Sequence, residues 1–220
     1  MFEKEFGIWQ CWTWAEAEKE IEALALSIQI LTLMQNLVGI EEDGPDGKTI
    51  GILGLGRIGQ EIADRLAVFN PTIVYHTRTK KDVPYTYYDD LVEMAKACDV
   101  LVCITPGGAS TNKIVNKDVL EALGPKGMLI NVSRGSVVDE DALIAALESG
   151  KLGLAGLDVF EGEPHIPDAL KASERTVLLP HVGSATHETR AAMGALTVDN
   201  LLQWKADGTL KTPVPECAHL

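Results

Sequence analysis

The segment from Lys48 to Gln60, which reads KTIGILGLGRIGQ, constrains the fold more than any other part of this chain. It sets a short apolar run of β type directly before a GxGxxG motif formed by Gly54, Gly56 and Gly59. In that setting the first glycine permits a tight turn, the second lets a phosphate approach the backbone, and the third lets the next helix pack closely on the sheet. A helix that begins near Arg57 would direct free N–H groups at the phosphate. The segment therefore predicts a dinucleotide-binding turn, although glycines at this spacing alone also occur in ordinary turns.

Strand-like apolar runs alternate with helical patterns along most of the chain. Strands are predicted at Thr49–Leu53, Thr72–Tyr75, Val100–Ile104, Met128–Val132, Leu154–Val159 and Val177–Leu179. Helices are predicted at Ile58–Val68, Tyr88–Ala97, Lys117–Leu123, Glu140–Ser149 and Thr186–Lys205. This alternation predicts an α/β fold with a doubly wound parallel sheet of Rossmann type, whose ligand crevice lies at the carboxyl ends of the strands. No repeat or flexible linker marks a second domain, so we expect a single domain over 1–220, with the Rossmann core at 48–182 and a C-terminal helix at 186–207.

The residues after the second predicted strand bear on the choice of cofactor. A dinucleotide fold that prefers NAD usually carries an acidic residue about 20 residues beyond the glycines, where it binds the ribose 2′-hydroxyl. The segment from Arg65 to Lys81 contains no acid, and its end reads YHTRTKK. Thr77, Arg78 and Thr79 offer hydroxyl and guanidinium groups suited to a 2′-phosphate. We therefore expect NADP as the cofactor, with NADPH preferred over NADH; an exposed basic turn without a ligand is the alternative.

The charge balance and the cysteines limit the possible partners. The formal net charge of −13 argues against nucleic acid or an anionic membrane surface, because both require basic patches. The cysteines lack metal-ligand spacing, so we expect no metal site, reduced thiols and a cytoplasmic location. They are Cys11, Cys98, Cys103 and Cys217. Glu3 and Glu5 stand where a signal peptide would be basic, so no secretion signal is expected.

The most apolar run, Ile21–Met34, contains polar residues and is shorter than the roughly 20 apolar residues that span a bilayer. We predict a helix here with two apolar stripes. They consist of Ile21, Leu24, Ile28 and Leu31, and of Leu26, Ile30, Leu33 and Leu37. The helix either packs within its own domain or turns one stripe to a second domain or subunit. The second arrangement predicts a homodimer.

Three motifs in the second half of the chain lie at the ends of predicted strands. NVSRG contains Arg134, LDVFEGEP contains Asp158 and Glu163, and PHVGSAT contains His181. Together with RTKK, TPGGAST and TRAAMGALTVDNL, they occur in a fixed order between about Thr49 and Pro215. On these motifs the chain resembles the D-2-hydroxyacid dehydrogenases, and among them the NADPH-dependent glyoxylate, hydroxypyruvate and hydroxyphenylpyruvate reductases.

The resemblance implies hydride transfer from a nicotinamide cofactor to the carbonyl carbon of a small 2-keto acid. His181 corresponds to the general acid that protonates the carbonyl oxygen. Glu163 corresponds to the carboxylate that orients this ring and favours its imidazolium form. Arg134 corresponds to the residue that binds the carboxylate and carbonyl oxygens of the substrate. Any one of them alone could be a surface ion pair or a structural residue, and their order supports the catalytic interpretation.

The resemblance also implies a set of cofactor contacts. Asp158 is expected to fix the carboxamide of the cofactor, and hence the face of the ring that is presented. The residues expected to bind the cofactor are Gly54, Gly56, Arg57, Ile58, Gly59, Thr77, Arg78, Thr79, Thr105, Pro106, Val132, Ser133, Asp158, Gly183 and Ser184.

Members of this family carry a substrate domain of about 100 residues ahead of an interdomain helix. The segment EAEKEIEALALSIQIL resembles that helix, so we expect the former interdomain helix at 14–38, while residues 1–13 remain unassigned. A separate substrate domain is expected to be absent, and turnover to be weak, because no lid excludes water from the substrate. Two alternatives stay open. The chain is either a dinucleotide-binding or assembly module that has lost turnover, or a half-enzyme completed by a separately encoded substrate domain.

Overall fold

The computed structural model describes residues 2–5, 8–11, 47–183 and 185–213. These residues fall into two compact units, one containing 47–183 and the other containing 2–5, 8–11 and 185–213. The predicted helix at 14–38 lies outside the described residues. That helix, and the single domain of which it would be part, therefore stay predictions.

Residues 47–183 contain a seven-stranded sheet in which every neighbouring pair of strands is parallel. Its strands are β3 (Thr49–Leu53), β4 (Thr72–His76), β5 (Thr86–Tyr87), β6 (Val100–Cys103), β7 (Met128–Asn131), β8 (Leu154–Leu157) and β9 (Thr176–Leu178). They lie in the order β5-β4-β3-β6-β7-β8-β9. From β3 the chain adds β4 and β5 on one side of the sheet and then β6 to β9 on the other side, so the strand order reverses between β3 and β6. Ligands bind at the carboxyl ends of the two strands at such a point.

Helices cover both faces of this sheet. They are α1 (Arg57–Leu66), α2 (Leu91–Ala97), α3 (Lys117–Leu123), α4 (Glu140–Glu148) and α5 (Asp168–Ala172). Ile62 and Leu66 of α1 belong to one buried apolar cluster, whereas Met94 of α2 and Leu120 of α3 belong to another. The predicted doubly wound parallel sheet is confirmed.

Element boundaries differ from the predicted ones in ways that have physical causes. β6, β7 and β8 end one or two residues before the predicted strands do; Val132 and Val159, just beyond two of these ends, are still buried, which is why the apolar runs are longer than the strands. Helix α2 begins at Leu91 rather than Tyr88, since the Asp90 side chain caps it by accepting a hydrogen bond from the Glu93 amide. The sequence analysis missed β5 and α5, which are too short to show a periodic pattern.

The other unit contains β1 (Phe2–Glu5) and β2 (Ile8–Cys11), which pair antiparallel, and α6 (His187–Asp207). Thr186 caps α6 by accepting a hydrogen bond from the Thr189 amide, and Gly208 ends it with a φ of 75°. Both signals agree with the predicted C-terminal helix. None of the described helices has the length and apolar character needed to cross a bilayer.

Cys98 and Cys103 are free, buried thiols on the sheet side of the core. Burial raises the pKa of each to about 12, with the charge of Asp99 adding to the effect at Cys98. Because the thiolate is the reactive form, both side chains are unreactive packing residues near neutral pH.

The third glycine of the motif gives a test of the packing of α1. A Cβ at Gly59 would overlap the Gly54 carbonyl oxygen and press on Ile104, so we expect Gly59→Ala to destabilise the protein by about 1–3 kcal/mol. A Cβ at Gly56 would meet nothing within 4 Å, so Gly56→Ala should cost less than about 1 kcal/mol. Urea unfolding of both variants makes the comparison. Equal losses of stability would contradict the close packing of α1 on the glycine turn.

Candidate active site

The glycine turn (Gly54–Gly59) leaves β3 at the point where the strand order reverses. Gly54 has a φ of 103°, and a Cβ there would lie 2.7 Å from the Thr105 nitrogen. Its amide donates a hydrogen bond of 3.0 Å to the His76 carbonyl at the end of β4. Only glycine combines this conformation with so close an approach. The turn therefore lies beside the end of β4 and against the loop that follows β6, which brings the predicted residues Gly54 and Thr105 together.

The N-terminus of α1 is open to a ligand. Gly56 is the N-cap residue and provides no side-chain cap, and the first turn contains no acidic residue. Gly56 and Arg57 are exposed, and Ile58 is half-buried. The first amides of a helix lack partners within it, and the helix dipole attracts negative charge to them. These features fit a pyrophosphate group, which the open space at Gly56 would admit.

The basic loop (Thr77–Lys81) follows β4 at the same edge of the sheet. Arg78 and Thr79 are exposed, and the Thr77 hydroxyl donates a hydrogen bond of 2.7 Å to the Thr79 carbonyl. The Arg78 guanidinium makes no hydrogen bond or ion pair with any residue that the structure describes. Its charge is therefore available to an anion.

The loop after β7 carries Arg134 and is held by Asn131, the last residue of that strand. Asn131 is buried; its Oδ1 accepts hydrogen bonds from the Ser133 amide at 3.1 Å and the Ser133 hydroxyl at 2.8 Å. Its Nδ2 donates to the Arg134 carbonyl at 3.0 Å. The sequence analysis did not identify Asn131 as a site residue. The tendency of asparagine to bond backbone two residues further on is the signal that points to it.

Glycines let the Arg134 loop approach its two neighbouring loops. A Cβ at Gly107 would lie 3.0 Å from Cγ of Arg134, and a Cβ at Gly135 would overlap the Phe160 carbonyl. Arg134 itself is exposed, and its Nη1 donates a hydrogen bond of 2.6 Å to the Ser133 carbonyl. The loops that follow β6, β7 and β8 are thus in contact around Arg134.

Glu163 and His181 form a direct pair, as predicted. His181 Nδ1 and Glu163 Oε2 are 2.8 Å apart, and Glu163 Oε1 accepts a hydrogen bond of 3.0 Å from the Phe160 amide. Partial burial by itself would raise the pKa of Glu163. The hydrogen bonds from His181 and Phe160, with the nearby charges of His181 and Arg134, outweigh burial and lower this pKa. Glu163 is therefore ionised at neutral pH.

Asp158 fixes the loop on which His181 lies. The side chain is 1% exposed, and its two oxygens accept hydrogen bonds from the Val182 amide at 2.8 Å and the Gly183 amide at 2.9 Å. His181 has a φ of 55°, which is uncommon for a residue other than glycine. Such a conformation persists where neighbouring contacts hold it. Each carboxylate oxygen has further acceptor capacity, so these bonds leave room for the carboxamide contact predicted for Asp158.

The remaining predicted positions divide into three groups. Val132 and Ser133 are buried beside Asn131, and the exposed Pro106 uses its carbonyl to accept a hydrogen bond of 2.7 Å from the Thr111 hydroxyl. Ser184 lies outside the described residues.

Over the part of the chain that the structure describes, no group of three or more His, Cys, Asp or Glu side chains is arranged to hold a metal ion.

The strand order, the glycine turn and the open helix N-terminus define a Rossmann-type dinucleotide-binding domain. Residues 33–183 match the model of the D-isomer specific 2-hydroxyacid dehydrogenase family, NAD binding domain. That match covers more than half of the 220 residues, and the chain belongs to this family.

Similar proteins carry related names. Hydroxyphenylpyruvate reductase of Plectranthus scutellarioides is 51% identical over 169 residues, which are 76% of this chain and 54% of that protein. Glyoxylate/hydroxypyruvate reductase A of Arabidopsis thaliana is 52% identical over 169 residues, with the same two coverages. The chain spans about half the length of these curated relatives.

A solved structure of an NADPH-dependent glyoxylate/hydroxypyruvate reductase from Sinorhizobium meliloti, in complex with NADP and malonate, superposes with a TM-score of 0.81. It is 47% identical, and the match covers 90% of this chain and 68% of that one. The match supports the Rossmann fold and a nicotinamide dinucleotide as the cofactor of this domain.

The buried carboxylate gives a test of the site architecture. Asp158→Ala leaves two backbone amides without their charged acceptor, so we expect a loss of stability of about 2–4 kcal/mol. Asp168→Ala is the matched control, because Asp168 is exposed and forms an ion pair with Lys171 in the same helix. It should cost less than about 1 kcal/mol. Urea unfolding measures both. If Asp158→Ala is as mild as the control, the carboxylate does not hold the His181 loop.

Proposed function

We propose that this chain provides the cofactor domain and the proton donor for the NADPH-dependent reduction of a small 2-keto acid of the glyoxylate or hydroxypyruvate type. The pairing of His181 with Glu163, whose pKa the charge of Arg134 helps to lower, is the observation that carries this proposal. The names of similar proteins support the same reaction class.

His181 is the proposed general acid. Its Nδ1 is hydrogen-bonded to an ionised Glu163, which fixes the plane of the ring. Nε2 makes no hydrogen bond with any described residue, so it is the nitrogen left to donate a proton to the carbonyl oxygen. Asp158 contributes to the position of His181 indirectly in this scheme, because its side chain bonds to the backbone that follows His181.

Arg134 is the proposed substrate-binding residue. Its guanidinium stays charged at every working pH and can bind a carboxylate through two parallel hydrogen bonds. Asn131 holds the Arg134 backbone, which reduces the entropy lost when the side chain binds substrate. The charge of Arg134 helps to lower the pKa of Glu163, which supports a role for both in one site.

The cofactor, when bound, supplies the hydride. The glycine turn and the N-terminus of α1 are proposed to hold its pyrophosphate, and Thr77, Arg78 and Thr79 its 2′-phosphate. Thr105, Pro106, Val132, Ser133, Asp158, Gly183 and Ser184 are proposed to line its ribose and nicotinamide. Arg78 has no partner among the described residues, and the end of the second strand carries no acid; both support a preference for NADPH over NADH.

We also propose a homodimer and a cytoplasmic location, as the sequence analysis predicted. The dimer prediction rests on the predicted helix with two apolar stripes, whose residues lie outside the described ones. Light scattering over a range of micromolar concentrations tests it directly.

The cofactor preference can be tested at Arg78. We expect Arg78→Ala to weaken NADPH binding by about 1.5–3 kcal/mol and to leave NADH binding nearly unchanged, because only NADPH presents the 2′-phosphate. Lys151→Ala removes the same charge at a distant surface pair with Glu121 and should change neither affinity. Titration followed by nicotinamide fluorescence measures both cofactors. Wild-type affinities that are equal, or tighter for NADH, would disprove the preference.

The acid and the substrate-binding residue can be tested by turnover. We expect His181→Ala and Arg134→Ala each to lower the rate of glyoxylate or hydroxypyruvate reduction by about 100-fold or more, while NADPH binding persists. His165→Ala is the control, because His165 is exposed and belongs to no proposed site. The measurement is NADPH oxidation at saturating cofactor.

Two outcomes of this experiment would change the proposal. Full activity in His181→Ala would show that another group donates the proton. Tight NADPH binding by the wild type without turnover of any 2-keto acid would favour the dinucleotide-binding module, or a half-enzyme that needs a separate substrate domain.

A further inference from the structure

Two tyrosines lie beneath the basic loop and contact its backbone. Tyr75 of β4 is fully buried, and its hydroxyl both accepts a hydrogen bond of 2.8 Å from the Lys81 amide and donates one of 3.1 Å to the Lys81 carbonyl. Tyr87 of β5 donates a hydrogen bond of 3.2 Å from its hydroxyl to the Thr77 carbonyl. The first and last residues of the loop are thus each held by one phenol.

The edge strand β5 holds the second tyrosine in place. It pairs with β4 so that Tyr75 and Tyr87 are opposite each other, and their ring centroids are 5.4 Å apart. Tyr75 also accepts a hydrogen bond at its carbonyl from the Tyr88 amide, at 2.9 Å. The two rings pack as a tilted pair, an arrangement that stabilises aromatic contacts beyond their buried area.

We propose that Tyr75 and Tyr87 are positioning residues for cofactor selection, which hold the basic loop in the conformation that presents Arg78 to a 2′-phosphate. This inference rests on the proposed preference for NADPH and adds the residues that set its strength. Neither phenol needs to touch the cofactor.

The physical argument is preorganisation. Ordering each loop residue on binding would cost about 1–2 kcal/mol of backbone entropy, which a loop already fixed at both ends largely avoids. Within the loop, the Thr77 hydroxyl bonds to the Thr79 carbonyl, whereas the Arg78 guanidinium has no partner among the described residues. The contacts from the tyrosines therefore hold the loop without occupying the charge that the ligand needs. NADH lacks the 2′-phosphate and gains little from this order.

The test compares three matched substitutions in the full chain. Tyr75→Phe and Tyr87→Phe each remove a hydroxyl that holds the loop, while the ring stays. Tyr85→Phe removes a hydroxyl from the same aromatic region that instead donates to Asp64 of α1 at 2.5 Å. Dissociation constants for NADPH and NADH are measured by fluorescence titration. Deuterium exchange of the peptide covering 77–81 is measured without cofactor, and melting temperatures confirm that each variant is folded.

We expect Tyr75→Phe to weaken NADPH binding about threefold to tenfold, and Tyr87→Phe somewhat less because it loses one bond rather than two. NADH binding should change less than about twofold in each, and exchange in 77–81 should accelerate. Tyr85→Phe should leave both affinities and the loop exchange at wild-type values. If Tyr75→Phe does not fold, the test rests on Tyr87→Phe, in which the ratio of the dissociation constants for NADPH and NADH is compared with that of the wild type.

The failure of this inference is distinguishable from failure of the proposed function. A wild type that prefers NADPH, with the same preference in Tyr75→Phe and Tyr87→Phe, would overturn the role of the tyrosines and keep the function. Equal weakening of NADPH and NADH would overturn it as well, because that result describes a general structural role. A wild type without preference for NADPH would overturn both.

Discussion

Every pair of neighbouring strands in residues 47–183 is parallel, and the candidate site depends on that pairing. Parallel strands all end at one edge, so the loops after β3, β4, β6, β7 and β8 emerge side by side. To start the next parallel strand, the chain must cross back to the amino ends of the strands, and the helices in these crossover connections cover the two faces of the sheet. In folds of this kind ligands bind at the carboxyl ends of the strands, which is where this chain carries its candidate site residues.

Buried polar side chains determine the shapes of these loops. Tyr75 lies in β4, Asn131 ends β7, and Asp158 follows β8; all three are almost fully buried and bond to loop backbone. A buried polar group that loses its partner costs free energy, so each of them disfavours other loop conformations. The residues proposed to meet cofactor and substrate, such as Arg78 and Arg134, are exposed at the surface of this arrangement.

The candidate site carries positive groups, although the chain as a whole is strongly negative. A net charge of −13 repels anionic ligands at long range, so the proposed binding of a dinucleotide and a keto acid requires concentrated positive groups. The N-terminus of α1, Arg78 and Arg134 provide them in separate places. The pKa of Glu163 is lowered, so its carboxylate is a fixed negative charge beside His181.

The sequence by itself determined the succession along the chain of the strands and helices that it predicted, and the identity of the motif residues. Apolar periodicity and glycine spacing are local signals. It also indicated the basic loop and the Glu163–His181 pair through motifs of the family. Only the tertiary structure decided which backbone groups the buried side chains hold, and it added β5 and α5. Asp158 and Gly183 are 25 residues apart, and Tyr87 meets the basic loop through a two-residue strand. Contacts of this kind depend on how separate elements pack, so no periodic pattern along the chain encodes them.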